Sequence, residues 1–203
     1  MAASFSNAVC SERCLSIPIS RRSRRMDVEN DHASRETNSS ELEPRAPGLE
    51  DLIELCRELN RKGARYVVVG GFAIRAAGYV RRTMDIDLVI DTAPDNEALV
   101  YQALEILPDR AVRELKPGEV SRYSVVRVAD EVVVDLMKSA CGIEYAEAAK
   151  EVIIHDVQGV PIPFASPRLL WRTKKPTRRA KDAGDLVFLQ QYFEQAGEEP
   201  PKV

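Results

Sequence analysis

Asp85-Ile86-Asp87 opens an apolar run that continues to Ile90. On a strand, alternation with period two turns both carboxylates to one face. Upstream, Gly70-Gly71 follows the apolar Tyr66-Val67-Val68-Val69. A strand that ends in two glycines brings backbone amides close to a phosphate. Two carboxylates beside such a cradle are what Mg²⁺-assisted phosphoryl or nucleotidyl transfer requires. Holding two like charges about 6–7 Å apart in an apolar setting costs energy unless a cation or hydrogen-bond donors compensate. The competing reading is an edge strand with a solvated acidic face. A third acid, Asp135, stands near the end of a second apolar strand, Glu131-Val132-Val133-Val134-Asp135-Leu136. Placed beside the first strand it completes a three-carboxylate cluster. Together with phosphate oxygens that cluster supplies the hard oxygen ligands that two Mg²⁺ ions about 3.5–4 Å apart require, and Asp135 could accept a proton from an attacking hydroxyl. Taken alone, Asp135 has a competing reading as a strand-end acid capping a turn.

Other candidate groups carry less. Gly70-Gly71 fits neither the P-loop pattern nor the dinucleotide fingerprint, and a lone Gly-Gly is often only a tight turn. Between Arg168 and Lys181 stand Arg168, Arg172, Lys174, Lys175, Arg178, Arg179 and Lys181, with no acid. This run is either a solvated helix and loop or a local anion-binding surface for a triphosphate or nucleic acid. Trp171 within it reads as a buried anchor against the sheet, with base stacking as the alternative. His32 and His155 have no matching partner for catalysis or metal binding. Cys10 and Cys14 form an isolated C-x-x-x-C without a second pair; free thiols in a reduced, cytoplasmic protein are expected instead.

The elements that must position these groups follow from periodicity. Leu49, Leu52, Ile53, Cys56 and Leu59 recur at helical spacing within Gly48 to Lys62, and Gly63 stops the helix. Tyr66–Val69 reads as a buried strand, Phe72–Ala77 as a short helix and Asp85–Ile90 as the next strand. A helix follows over Asp95–Leu107, then a hairpin of Ser121–Val128 with Glu131–Leu136, and a helical patch over Ile143–Lys150. Val152–Ile154 pairs with Val160–Phe164. Ser166-Pro167 opens a helix, with serine as cap and proline at the first helical position, and a last helix spans about Arg179 to Glu194. This order predicts an α/β (α+β) domain with a mixed sheet flanked by helices, not a repeated βαβ winding.

At 203 residues, 44% hydrophobic and 30% charged, the chain has room for one ordinary domain, and its net charge of −3 excludes a globally cationic nucleic-acid binder. No stretch reaches the ~18 apolar residues of a membrane span. Residues 1–47 are rich in Ser and Asn, nearly free of aromatics and net neutral, which predicts a disordered tail; Arg21, Arg22, Arg24 and Arg25 cluster within it. The domain is expected over 48–195, with a flexible end at 196–203.

Together, the stretch Val67 to Ile74 with its Gly70-Gly71, the motif Arg81-x-Thr83-x-Asp85-Ile86-Asp87-Leu88 and Val133-Val134-Asp135-Leu136 resemble the DNA polymerase beta-type nucleotidyltransferase superfamily. The nearest resemblance is to small bacterial members related to abortive-infection and toxin–antitoxin nucleotidyltransferases. Ser166-Pro167, Lys174 and Lys181-Asp182-Ala183-Gly184-Asp185-Leu186 resemble the element that follows the core in such proteins. The resemblance implies a mixed-sheet nucleotidyltransferase core that moves a nucleoside monophosphate from an NTP to an acceptor hydroxyl and releases pyrophosphate. It implies that Gly70 and Gly71 hold nucleotide phosphates and that Asp85, Asp87 and Asp135 bind two Mg²⁺ ions. Asp135 would be the base, and Arg81, Thr83, Lys174 and Lys181 would contact the nucleotide or organise the site. Asp182 and Asp185 would be helix-surface or structural pairs. Acceptors in the superfamily include small molecules, proteins and RNA ends. The alternative is a catalytically silent nucleotide-binding module, or one partner of a toxin–antitoxin pair, on the same fold. Many minimal members carry Gly-Ser where this chain has Gly70-Gly71, which removes a hydroxyl from the cradle.

Overall fold

The computed structural model describes residues 14–17 and 43–203. Its strands are β1 (Cys14–Ile17), β2 (Tyr66–Val68), β3 (Asp85–Ile90), β4 (Val125–Ala129), β5 (Val133–Met137), β6 (Ser139–Ala140), β7 (Ile143–Glu144), β8 (Val152–Val157) and β9 (Val160–Ala165). Its α-helices are α1 (Leu49–Lys62), α2 (Gly70–Ala76), α3 (Pro94–Leu104), α4 (Glu119–Arg122), α5 (Tyr145–Ala148), α6 (Pro167–Lys174) and α7 (Ala183–Ala196). Seven strands form one mixed sheet in the order β1-β4-β5-β3-β2-β9-β8. Three pairings are parallel, β1 with β4, β3 with β5 and β2 with β9; the others are antiparallel. Helices flank it: α1 packs on α3 and β9, and α2 on β3, β9 and α6. This is the mixed α+β architecture the periodicity predicts.

The core follows from the same periodicities. Leu52, Ile53, Leu55, Cys56 and Leu59 put one face of α1 out of water, and Gly63 ends the helix with φ +74°. In β3 the half-buried Asp85 and Asp87 alternate with the fully buried Ile86 and Leu88, so one strand supplies both core and site. Ser166 caps α6 by accepting a 3.3 Å hydrogen bond from the Leu169 amide, with Pro167 next in line.

Several boundaries differ from the sequence expectation. α2 begins at Gly70 itself, because φ of +60° there turns the chain directly out of β2. Residues 121 and 122 lie in α4, not in a strand. The buried carboxylate of Glu97 holds that segment, accepting from the amides of Gly118 (2.7 Å) and Val120 (3.0 Å) and from the Tyr101 hydroxyl (2.6 Å). The expected helical patch after Ile143 is a short strand, β7, followed by the single-turn α5. The last helix starts at Ala183, preceded by a 3₁₀ turn over Ala180–Asp182.

Two stretches ahead of residue 48 pair with the domain. β1 lies parallel to β4, and Arg45 bridges to Val132 while its guanidinium meets Asp51 and Glu131. Of the tail expected over 1–47, residues 1–13 and 18–42, with the Arg21–Arg25 cluster, Cys10 and His32, lie outside the described residues. Among the described residues no helix is long and apolar enough to cross a membrane.

Candidate active site

Parallel pairing of β3 with β5 sets Asp87 directly opposite Asp135 and Asp85 opposite Val133. Directly opposed residues share a face, and period two returns Asp85 to that face. One carboxylate oxygen from each of Asp85, Asp87 and Asp135 therefore lies within 4.8 Å of the others. Three carboxylates this close repel one another, and burial compounds the cost. The Asp87 carboxyl is pushed up to about 7, chiefly by burial and then by the charges of Asp85 and Asp135, with Lys174 and Lys181 acting in the opposite sense. A hard divalent cation relieves that repulsion, and an all-oxygen donor set suits Mg²⁺. The residues present fit such an ion.

The glycines serve this cluster through close packing. The Val69 amide donates to the Asp87 carbonyl (3.0 Å), drawing the end of β2 alongside β3. A Cβ on Gly70 would stand 1.9 Å from Asp87 Oδ2, and one on Gly71 would stand 2.2 Å from Thr83 Oγ1. Neither position accepts a side chain while its neighbour stays put. Thr83 is buried, and its hydroxyl donates to the Asp85 carbonyl at 3.2 Å. Thr83 thus fills the space that a side chain at position 71 would need.

The C-terminal segment reaches the same place. Arg81, in the loop before β3, meets Asp185 of α7: NH2 donates to Oδ2 at 3.0 Å, and Nε lies 2.8 Å from Oδ1 as an ion pair rather than an aligned hydrogen bond. Lys174 Nζ contacts Asp182 at 2.8 Å and Asp185 at 2.9 Å, and all three side chains are buried. Arg81 and Lys174 are therefore engaged inside the protein, whereas Lys181 is exposed. Asp182 and Asp185 are internal ion-pair partners, not surface groups. Of the basic run, Arg168 pairs with Glu198, Arg172 with Glu147 and Glu151, and Lys175 stands 4.9 Å over the Trp171 ring. Trp171 is buried edge-on to Phe193 of α7, and its indole donates to the Pro201 carbonyl at 3.1 Å. His155 packs edge-on to Phe164.

Sequence reasoning missed Arg127. On β4 it is the antiparallel partner of Asp135, and its guanidinium grips both oxygens of that carboxylate, Nε to Oδ1 at 2.8 Å and NH2 to Oδ2 at 2.7 Å. NH2 also lies 3.5 Å from Asp85 Oδ2. The available signal was a charged residue at alternate position inside Val125-Val126-Arg127-Val128, which places it on the face opposite the buried valines.

No protein-family model matches the chain, and no curated protein matches its sequence. Among solved structures, TM1012 of Thermotoga maritima, provisionally assigned as a nucleotidyltransferase, aligns at 16% identity over 72% of this chain and 92% of its own, with TM-score 0.42. ANT(2″)-Ia in complex with adenylyl-2″-tobramycin aligns at 13% identity, over 72% of this chain and 89% of its own, with TM-score 0.46. An antigenic nucleotidyltransferase-like protein of Paracoccidioides brasiliensis aligns at 16% identity over 73% and 78%, with TM-score 0.46. At these identities and scores the weight falls on the carboxylate geometry.

Proposed function

We propose that this protein is a nucleotidyltransferase that moves a nucleoside monophosphate from an NTP to an acceptor hydroxyl. The observation that carries this reading is the triad of Asp85, Asp87 and Asp135, with oxygens within 4.8 Å, pressed against the Gly70 turn. Mg²⁺ bound there would neutralise phosphate charge and stabilise what develops in the transition state.

The chain's own groups supply the rest. Asp85 and Asp87 hold the cation, and Asp135 completes the set. The backbone amides of the Gly70-Gly71 turn would meet the phosphate oxygens, and the exposed Lys181 would offer them a positive charge. The acceptor oxygen bonds to the α-phosphorus as the bridge to the β-phosphate breaks. Pyrophosphate leaves, and Asp135 receives the acceptor's proton. Thr83 holds the start of β3 through the Asp85 carbonyl. Arg81 and Lys174 organise the site through Asp185.

Incubation with α-labelled NTPs and a cell extract tests the reading. Label should pass to an acceptor with the native protein and drop by at least about 10²-fold, to background, with Asp85→Asn/Asp87→Asn. Labelling undiminished in the double variant overturns the mechanism, and Mg²⁺-dependent NTP binding without transfer favours the silent module.

A further inference from the structure

Arg127 creates a difficulty for the triad that the carboxylates alone do not show. Its fork occupies both oxygens of Asp135, the residue assigned to accept a proton, and leans on Asp85 as well. Among the described residues no arginine or lysine forms an ion pair with Asp87. The compensation is therefore lopsided. Among the described residues one cation stands against Asp135 and reaches Asp85, and none pairs with Asp87. Exposure is lopsided too: the Asp135 side chain is 8% exposed and the Arg127 side chain 42%. Asp135 is fixed on a central strand, whereas the guanidinium lies on the solvent side of the pair at the end of a flexible stem. If either moves, it is Arg127.

We propose that Arg127 is the resident counter-ion of Asp135 and sets the order in which divalent cations enter the triad. This rests on the triad's being a metal site, as argued above. A first cation shared by Asp85 and Asp87 binds with Arg127 in place. A cation that recruits Asp135 enters only as the guanidinium swings out, because the two positive charges compete for the same oxygens.

The opposite role is an outer support: a guanidinium that stays bound to Asp135, orients it and strengthens the cation site. Loss of such a supporting partner weakens metal affinity by about 10–100-fold. The two roles thus predict changes of opposite sign. Mn²⁺ is titrated into the full-length protein without nucleotide, with binding followed by calorimetry and by the electron paramagnetic resonance of free Mn²⁺. Native protein, Arg127→Ala, Asp135→Asn and the Arg127→Ala/Asp135→Asn double variant are compared, with circular dichroism as the check of folding. Arg127→Gln replaces the alanine variant if the latter does not fold. Removal of the guanidinium should tighten the second, weaker Mn²⁺ by about tenfold or more, the effect of losing one charge-assisted contact, and leave the first within about twofold. Asp135→Asn should abolish that gain. Unchanged or weaker second-site binding in Arg127→Ala overturns the counter-ion role while leaving the metal site intact. No Mn²⁺ bound by the native protein overturns the metal reading itself, and this proposal with it.

Discussion

Asp87 stands where burial and two neighbouring carboxylates all oppose its charge, and its proton affinity rises to about 7 from an ordinary 3.8. The linkage has a definite sign. A folded state that holds the proton more tightly than the unfolded chain is favoured at low pH, and the metal-free protein loses that share of stability as pH rises from 3.8 through about 7. Asp87→Asn removes the group and the dependence. In chelator, the variant should melt a few degrees above the native protein at pH 8 and converge with it near pH 4, as thermal denaturation at several pH values would show. A native midpoint flat over that range would refute the assignment. Gly71 offers a second test at this scale. Serine there collides with Thr83 and should cost about 1–3 kcal/mol in urea denaturation, the usual penalty of overpacking. Thr83→Ala in the same chain should recover part of the loss, since Oγ1, the nearer colliding atom, is gone while Cβ, 2.6 Å away, stays; a strictly additive double variant would show that the two side chains do not share space.

The elements hold together at one buried polar knot. Arg81 precedes β3, Lys174 ends α6, and Asp182 and Asp185 lie at the start of α7, so three separate segments meet through four charged side chains. Paired charges out of water are costly to orphan. Asp185→Ala leaves Arg81 without its carboxylate and Lys174 with Asp182 alone, and should lose about 1–3 kcal/mol in chemical denaturation, whereas the exposed Lys181→Ala should leave the midpoint nearly unchanged. Equal losses from the two would dissolve the distinction between a structural Lys174 and a solvent-facing Lys181. The same knot explains why the segment after the core belongs with the site: Lys174 and Lys181 both lower the proton affinity of Asp87. Element boundaries divide along similar lines. α1, β3 and the Ser166 cap are local matters of spacing and capping, and they fall where periodicity puts them. α4 is not, because its amides answer to Glu97 across the fold.

At the scale of the whole molecule, seven strands in one mixed sheet bring residues 70, 87 and 135 together at adjoining strands β2, β3 and β5. The sequence by itself determined which residues could do chemistry. Alternation with period two obliges Asp85 and Asp87 to share a face, and a glycine pair after a strand obliges a tight turn, because both are properties of a few consecutive residues. Which strand lies beside which is a property of the sheet, set by how all the apolar faces are buried at once. Only the tertiary structure decided that β5 lies parallel to β3 with Asp135 opposite Asp87, that β4 carries Arg127 onto the same carboxylate, and that Lys174 turns inward to Asp185 while Lys181 faces solvent. Charge written in a sequence does not say whom it will meet. The opposing strand and the packed helix decide that, since a buried charge is stable only where a partner of opposite sign is brought to it.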